Sequence, residues 1–184
     1  AKQTRTRLTY DPYGNLTQTM EDGDLSVAGD ERSTTTTYRY NEAAGMLNKP
    51  QLLQTFNDAH LIMAQRRFTY DDVGNLTQEE EWLDVPEERW LATTLAYDAY
   101  GNVATVTDAL ERTTTNTYDA SGTYLIQIEN ALGHTRRLDY DPRTGQALSS
   151  TDQNGLTTLT DYDPLGRVVQ TQGERLGGGE GGQA

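Results

Sequence analysis

The 184-residue chain contains no cysteine, which excludes disulfides, thiolate nucleophiles and cysteine-ligated zinc or iron–sulfur sites. That suits a cytosolic protein, and equally a bacterial secreted protein that needs no disulfides, so the compartment stays open. Apolar residues are scarce: 34% of the chain is hydrophobic and the mean hydropathy is -0.77, against roughly 45–50% apolar, glycine counted, in an ordinary domain. A large solid core is not expected. No apolar run approaches the roughly 20 residues of a membrane span, and no charged start leading into an apolar stretch marks a signal peptide. Basic residues are also few, 15 Lys and Arg against 28 Asp and Glu, for a formal charge of -13. Nucleic acid and anionic membranes, which are bound by neutralising phosphates, are therefore poor partners. Phe and Trp number two each, whereas Tyr numbers eleven. The chain opens AKQTRTRL without a Met, which suggests a piece of something longer.

Tyrosine marks a repeat. Tyr followed by Asp or Asn occurs at Tyr10, Tyr40, Tyr70, Tyr97, Tyr118, Tyr140 and Tyr162, with successive spacings of 30, 30, 27, 21, 22 and 22. The following text recurs: YDPYGNLTQ from Tyr10, YDDVGNLTQ from Tyr70, YDAYGNVAT from Tyr97, YDASGTYLI from Tyr118 and YDPLGRVVQ from Tyr162. The Tyr40 and Tyr140 copies, YNEAAGMLN and YDPRTGQAL, carry one extra residue before Gly. A second word begins ten residues before each of the later tyrosines, at Asp108, Asn130 and Asp152. Each repeat therefore holds two turns.

In Asp11-Pro12-Tyr13-Gly14 and Asp163-Pro164-Leu165-Gly166 the Asp accepts backbone N–H bonds, Pro presets its own φ, and Gly takes a positive φ without steric cost. This predicts a type I turn closed by a glycine bulge in a hairpin. Glu111 replaces Gly in the Asp108 copy, so that turn is expected to be strained or differently shaped. The expected structural turn set is Tyr10, Asp11 and Gly14; Tyr70, Asp71 and Gly74; Tyr97, Asp98 and Gly101; Tyr118, Asp119 and Gly122; Tyr140, Asp141 and Gly145; and Tyr162, Asp163 and Gly166. Between turns lie segments rich in Thr, Val, Ile and Tyr, which favour strands. Two four-residue turns and two seven-residue strands fill the 22-residue period, leaving no room for a helix. The fold class is all-β, an antiparallel hairpin ribbon of about seven repeats. Alternation places Tyr140, Leu138 and His134 on one face, and Thr135, Arg137 and Asp139 on the other. Three stretches are expected: 1–96, whose longer repeats expand their second turns at EDGDLSVAGDERS and EEEWLDVPEERW; 97–172, with regular repeats; and 173–184, a Gly-rich flexible tail. Trp82 and Trp90 flank Pro86 and are placed to clasp across that loop.

No catalytic, metal or cofactor site emerges, and the chain is not read as an enzyme. A carboxylate copied at every repeat is a turn cap rather than half of an acid–base pair. The least unsuitable pair for a self-processing aspartyl protease is Asp141 with Asp152. His60 and His134 are expected at strand or turn surfaces, with no second ligand at i+2 or i+4. Glu79, Glu80 and Glu81, with Asp22 and Asp24, read as solvated loop charge, with calcium binding as the rival; the EDGD run is too short for an EF-hand loop. Rows of Tyr and Thr would present stacking and hydroxyl groups to a glycan in an extracellular binding or adhesion module.

The recurrent Y-D-x-x-G-N-L-T word and its partner D/N-x-x-G-x-T, from about Tyr10 to about Gln172, resemble the YD-repeat (Rhs) family of bacterial polymorphic toxins, insecticidal toxin-complex B and C components, and animal teneurins. The resemblance implies a β-ribbon that spirals into a hollow shell and, in bacteria, encloses a toxic polypeptide. It implies a non-catalytic wall segment, partnered by neighbouring repeats and the enclosed toxin, secreted or at the bacterial cell surface, with no membrane insertion by this segment. Toxin-bearing members carry a C-terminal word resembling Y-D-P-x-T-G-R-F-x-S-x-D-P near an aspartyl self-cleavage site. Here Gln146, Ala147 and Gln153 depart from it and another repeat follows at Tyr162, so Tyr140 onward reads as a plain repeat.

Overall fold

The computed structural model describes residues 3–83 and 89–175, and the chain divides into two compact units, Ala1–Leu95 and Ala96–Ala184. The first unit holds β1 (Thr4–Tyr10), β2 (Leu16–Asp24), β3 (Arg32–Asn41), β4 (Met46–Asn57), β5 (Ile62–Tyr70), β6 (Leu76–Leu83) and all but the last two residues of β7 (Arg89–Tyr97), with a 3-10 turn at Glu42–Ala44. The second holds β8 (Val103–Thr107), β9 (Thr113–Tyr118), β10 (Leu125–Glu129), β11 (Thr135–Tyr140), β12 (Ala147–Thr151), β13 (Leu156–Tyr162) and β14 (Val168–Arg175). Within each unit every strand pairs antiparallel with its neighbours in the chain. The fold is all-β, with no α-helix among the described residues.

A sheet with so few apolar residues has little to bury, and the burial shows it. Among the described residues Met46, 5% exposed, is the buried hydrophobic side chain and Thr157, 8% exposed, the buried polar one. Cross-strand pairs take the place of a core. Thr107 and Thr113 hydroxyls lie 2.8 Å apart, as do those of Thr151 and Thr157, and Gln54 Nε2 donates to Gln65 Oε1 at 2.9 Å. Such pairs contribute about 0.2–1 kcal/mol each, so stability is spread along the ladder and not concentrated at one place.

Four expectations need correction. The extra length of the early repeats goes largely into strands: β2 to β7 run to 8–12 residues, while β8 to β12 have five or six, short of the seven expected. Glu79, Glu80 and Glu81 lie in β6, and Asp22 and Asp24 in β2, so none is loop charge. Their charge is tolerated there because cations face it: Arg66 pairs with Glu79, Arg67 with Glu80 at 2.9 Å, and Arg5 and Arg7 both reach Asp22. β14 continues to Arg175, pairing Gly173 with Thr158 and Glu174 with Thr157, so residues 173–175 are strand and not tail; residues 176–184 lie outside the described residues. Finally, His134 precedes β11 and sits in a turn, while Leu138 and Tyr140 are half-buried and Arg137 and Asp139 exposed.

Candidate functional site

One backbone turn recurs, and the Asp98 copy shows its parts. Asp98 N donates to Asn102 O at 2.9 Å, Gly101 N donates to Asp98 O at 3.1 Å, and Gly101 has φ 85°. The carboxylate oxygen Oδ1 accepts the amides of Tyr100 and Asn102 at 2.8 and 2.9 Å. Asp11, Asp71 and Asp163 do the same, as do Asp108 and Asp152 at the mid-repeat turns and Asn130 with its amide oxygen. A short acceptor at the first position thus satisfies two donors that the hairpin leaves without a ladder partner. Past the turn the register shifts again before Tyr10, Tyr70, Tyr140 and Tyr162. At the first two of these, Thr17 and Thr77 hydroxyls bond back to Thr9 and Thr69 carbonyls. Two turns close one residue wider: Asp119 N reaches Tyr124 O, and Asp141 N reaches Gln146 O, both at 2.9 Å.

Within each unit, consecutive hairpins put the YD turns at one end of the strands and the mid-repeat turns at the other. On the YD side the turns of successive repeats touch. Asn102 Nδ2 holds its own Asp98 Oδ2 at 3.1 Å and the next turn's Gly122 O at 2.8 Å; Asn15 holds Asp11 Oδ2 at 2.8 Å and Leu47 O at 2.6 Å. Tyrosine hydroxyls reach the preceding repeat: Tyr118 donates to Val103 O at 3.3 Å and Tyr162 to Ala147 O at 2.9 Å. Tyr70 accepts Arg39 Nη1 at its carbonyl, 2.7 Å, and lies under Lys49. Tyr140 stacks on Tyr124 with ring centroids 5.1 Å apart. Tyr10 is exposed on β1.

Residues 2–175 match the Teneurin YD-shell family. The chain belongs to that family. No curated protein matches it. Among solved structures it is similar to a chain of TcdB2-TccC3-TEV, at 13% identity and TM-score 0.38, covering 92% of this chain and 11% of that one. It is also similar to a chain of TcdB2-TccC3, at 12% identity and TM-score 0.36, covering 92% and 14%. A third is the Photorhabdus luminescens Tc holotoxin pore, at 12% identity and TM-score 0.35, covering 94% and 14%. The chain therefore spans a small part of the chains it matches. As a YD-shell segment, its role is structural.

The YD-shell carboxylates are held ionised by their donors. Desolvation pushes Asp11 upward, but hydrogen bonds from Tyr40, the Asn15 side chain and the amides of Asn15 and Tyr13 outweigh it and bring its pKa to about 2. Asp119 also falls to about 2, through Ser121 and the amides of Tyr124 and Thr123. Asp163 is lowered by the amide and side chain of Arg167, and Asp141 by Arg143. Tyr40, donating to Asp11, is raised to about 12. A carboxylate whose acceptor sites are filled in this way stays ionised through the neutral range and is a poor general acid.

Asp141 and Asp152 sit at opposite ends of the five-residue strand β12, about 15–20 Å apart at ~3.3 Å per residue, so they form no dyad. Among the described residues no three acidic or histidine side chains converge to hold a metal ion. No helix there is long and apolar enough to cross a membrane. Trp82 and Trp90 are register partners across β6 and β7; Pro86 between them lies outside the described residues. Sequence reading missed the turn Asn57–His60, where His60 N donates to Asn57 O at 3.0 Å and His60 has φ 58°. It carries no Gly, and its one signal is an Asn at the capping position, whose Oδ1 accepts Leu61 N at 2.8 Å. Glu111 keeps the common turn, Glu111 N to Asp108 O at 2.9 Å, with φ 60°; the turn is not differently shaped, and a non-glycine residue takes the left-handed position.

Proposed function

We propose that this YD-shell segment is a non-catalytic length of wall whose work is containment, in a secreted bacterial protein of the Rhs type that encloses a toxic polypeptide. In this reading the longer repeats of 1–96 and the regular repeats of 97–172 are two stretches of one wall, and the tyrosines, aspartates and glycines of the YD turns are the parts that join successive repeats. The family match over residues 2–175 carries the reading. Low hydrophobicity suits a sheet wet on both faces, and the charge of -13 disfavours adhesion to other acidic proteins.

The test is protease protection of the enclosed polypeptide in the full parent protein, with and without residues 2–175. Containment predicts that the cargo resists protease in the parent and is degraded when the segment is deleted, while Asp141→Asn and Asp152→Asn leave processing unchanged. Equal protection without the segment would contradict the reading. Glycan capture by the isolated chain on an array, lost on Tyr100→Ala, would favour the adhesion alternative.

A further inference from the structure

Two tyrosine pairs on the YD side look alike in distance but differ in what their hydroxyls touch. Tyr13 and Tyr40 have ring centroids 5.2 Å apart at a tilt of 42°; Tyr124 and Tyr140 are 5.1 Å apart and nearly parallel at 19°. In the first pair the contacts are reciprocal. Tyr13, from the turn between β1 and β2, donates to Glu42 Oε1 at 2.5 Å, and Tyr40, at the next YD turn, donates to Asp11 Oδ2 at 2.6 Å. Each phenol thus rests on a carboxylate of the other's turn. In the second pair Tyr124 donates to the carbonyl of Pro142 at 3.5 Å, and a carbonyl takes up no proton at neutral pH. Tyr13 is 47% and Tyr40 43% exposed, so a dissolved oxidant reaches both.

Removing an electron from a phenol becomes far easier when its proton leaves at the same time, and a hydrogen-bonded carboxylate is a base in position to receive it. We propose that Tyr13 and Tyr40 are a site of oxidative carbon–carbon cross-linking, a covalent staple between adjacent YD turns in a chain that has no cysteine to supply one. Each phenol gives one electron to the oxidant and one proton to its carboxylate. The two phenoxyl radicals then join at ring carbons ortho to the oxygens, and the hydrogens displaced there return to the oxygens to restore both phenols. The carboxylates pass their protons to solvent. With hydrogen peroxide as oxidant, through a haem peroxidase, one peroxide becomes two waters and the protein loses two hydrogens. The inference is independent of what the shell contains.

The experiment treats dilute chain with a haem peroxidase and hydrogen peroxide. It reads biphenol fluorescence, chain mass and the cross-linked peptides. The site predicts a monomer lighter by two hydrogens, with the Tyr13–Tyr40 bond exceeding any Tyr124–Tyr140 bond by at least about tenfold, well short of the roughly 10²–10⁴-fold that a positioned base supplies. Tyr13→Phe keeps the ring and abolishes the product. Glu42→Gln keeps an acceptor oxygen but takes no proton, and lowers the yield several-fold with the fold unchanged by circular dichroism. Bonds formed mainly between chains, equal yields at the two pairs, or an unchanged yield in Glu42→Gln would each overturn the proposal.

Discussion

The two ends of the strands carry the same turn under different constraints. On the YD side three left-handed glycines face side chains of the preceding repeat, while Gly14, Gly45 and Gly101 have open space. A Cβ at Gly122 would meet the Tyr100 ring at 2.4 Å, one at Gly74 the Met46 sulfur at 2.8 Å, and one at Gly166 the Gln146 amide at 3.0 Å. On the mid-repeat side Gly133 and Gly155 have nothing within 4 Å, and two of the corners dispense with glycine altogether, His60 and Glu111 holding φ near 60°. Glycine therefore answers two separate demands. Positive φ alone costs another residue roughly 1–2 kcal/mol, which a solvated corner tolerates. Positive φ combined with a neighbour's ring in the space of the side chain leaves room for no other residue. The comparison also shows where repeats are joined: Gly74, Gly122 and Gly166 on the YD side are packed against the preceding repeat, as Gly133 and Gly155 are not.

The largest effect is expected at Gly122. Gly122→Val adds a β-branched residue at φ 68° against the near end of the Tyr100 ring, and should destabilise the chain by about 3 kcal/mol or more, read by urea denaturation. Gly101→Val has the φ cost but open space, and should fall at about 1–3 kcal/mol. Equal values for the two would remove the contact from the account.

Next in size is the cap. Asp98→Ala strips the acceptor from the amides of Tyr100 and Asn102 and from the Asn102 side chain, and should cost about 1–2 kcal/mol, the range of a lost N-terminal helix cap. Asp98→Asn, which keeps an acceptor as Asn130 does, should recover most of that loss.

Acid tests the same caps collectively. Asp11 and Asp119 titrate at about 2 in the folded chain, below an unfolded value near 4. The sign is that of a depressed carboxylate: the stabilisation is complete above about pH 4 and is lost as pH falls through about 2. A thermal midpoint independent of pH between about 4 and 2 would contradict the capping role. The smallest effect is at Glu111, where Glu111→Gly relieves a positive φ with no contact to lose and should be neutral or stabilising by up to about 1 kcal/mol.

Turns were legible because their chemistry is local. Asp at the first position and Gly at the fourth specify the corner within five residues, and the spacing of Tyr words then gave hairpins and an all-β ladder. Asn57–His60 was not legible because His60 takes the left-handed conformation without being Gly. The reach of β6 through Glu79–Glu81 was hidden for another reason: three adjacent carboxylates look like a solvated loop until Arg66 and Arg67 are placed beside them, and that requires the register across the Asp71 turn. The interlocked YD side is likewise a matter of register. Nothing near Gly122 in the chain announces Tyr100 as its neighbour; the contact appears only when two repeats are aligned.

The account turns on that interlock, and one pair of alanines isolates it. Gly122 and Gly133 have φ of 68° and 75°, so an added methyl carries nearly the same backbone cost at both, and only Gly122 has a ring in its way. Measured side by side in urea, Gly122→Ala should destabilise the chain by at least about 1 kcal/mol more than Gly133→Ala, the lower bound for overpacking. Equal losses at the two positions would mean that YD turns of successive repeats do not hold one another.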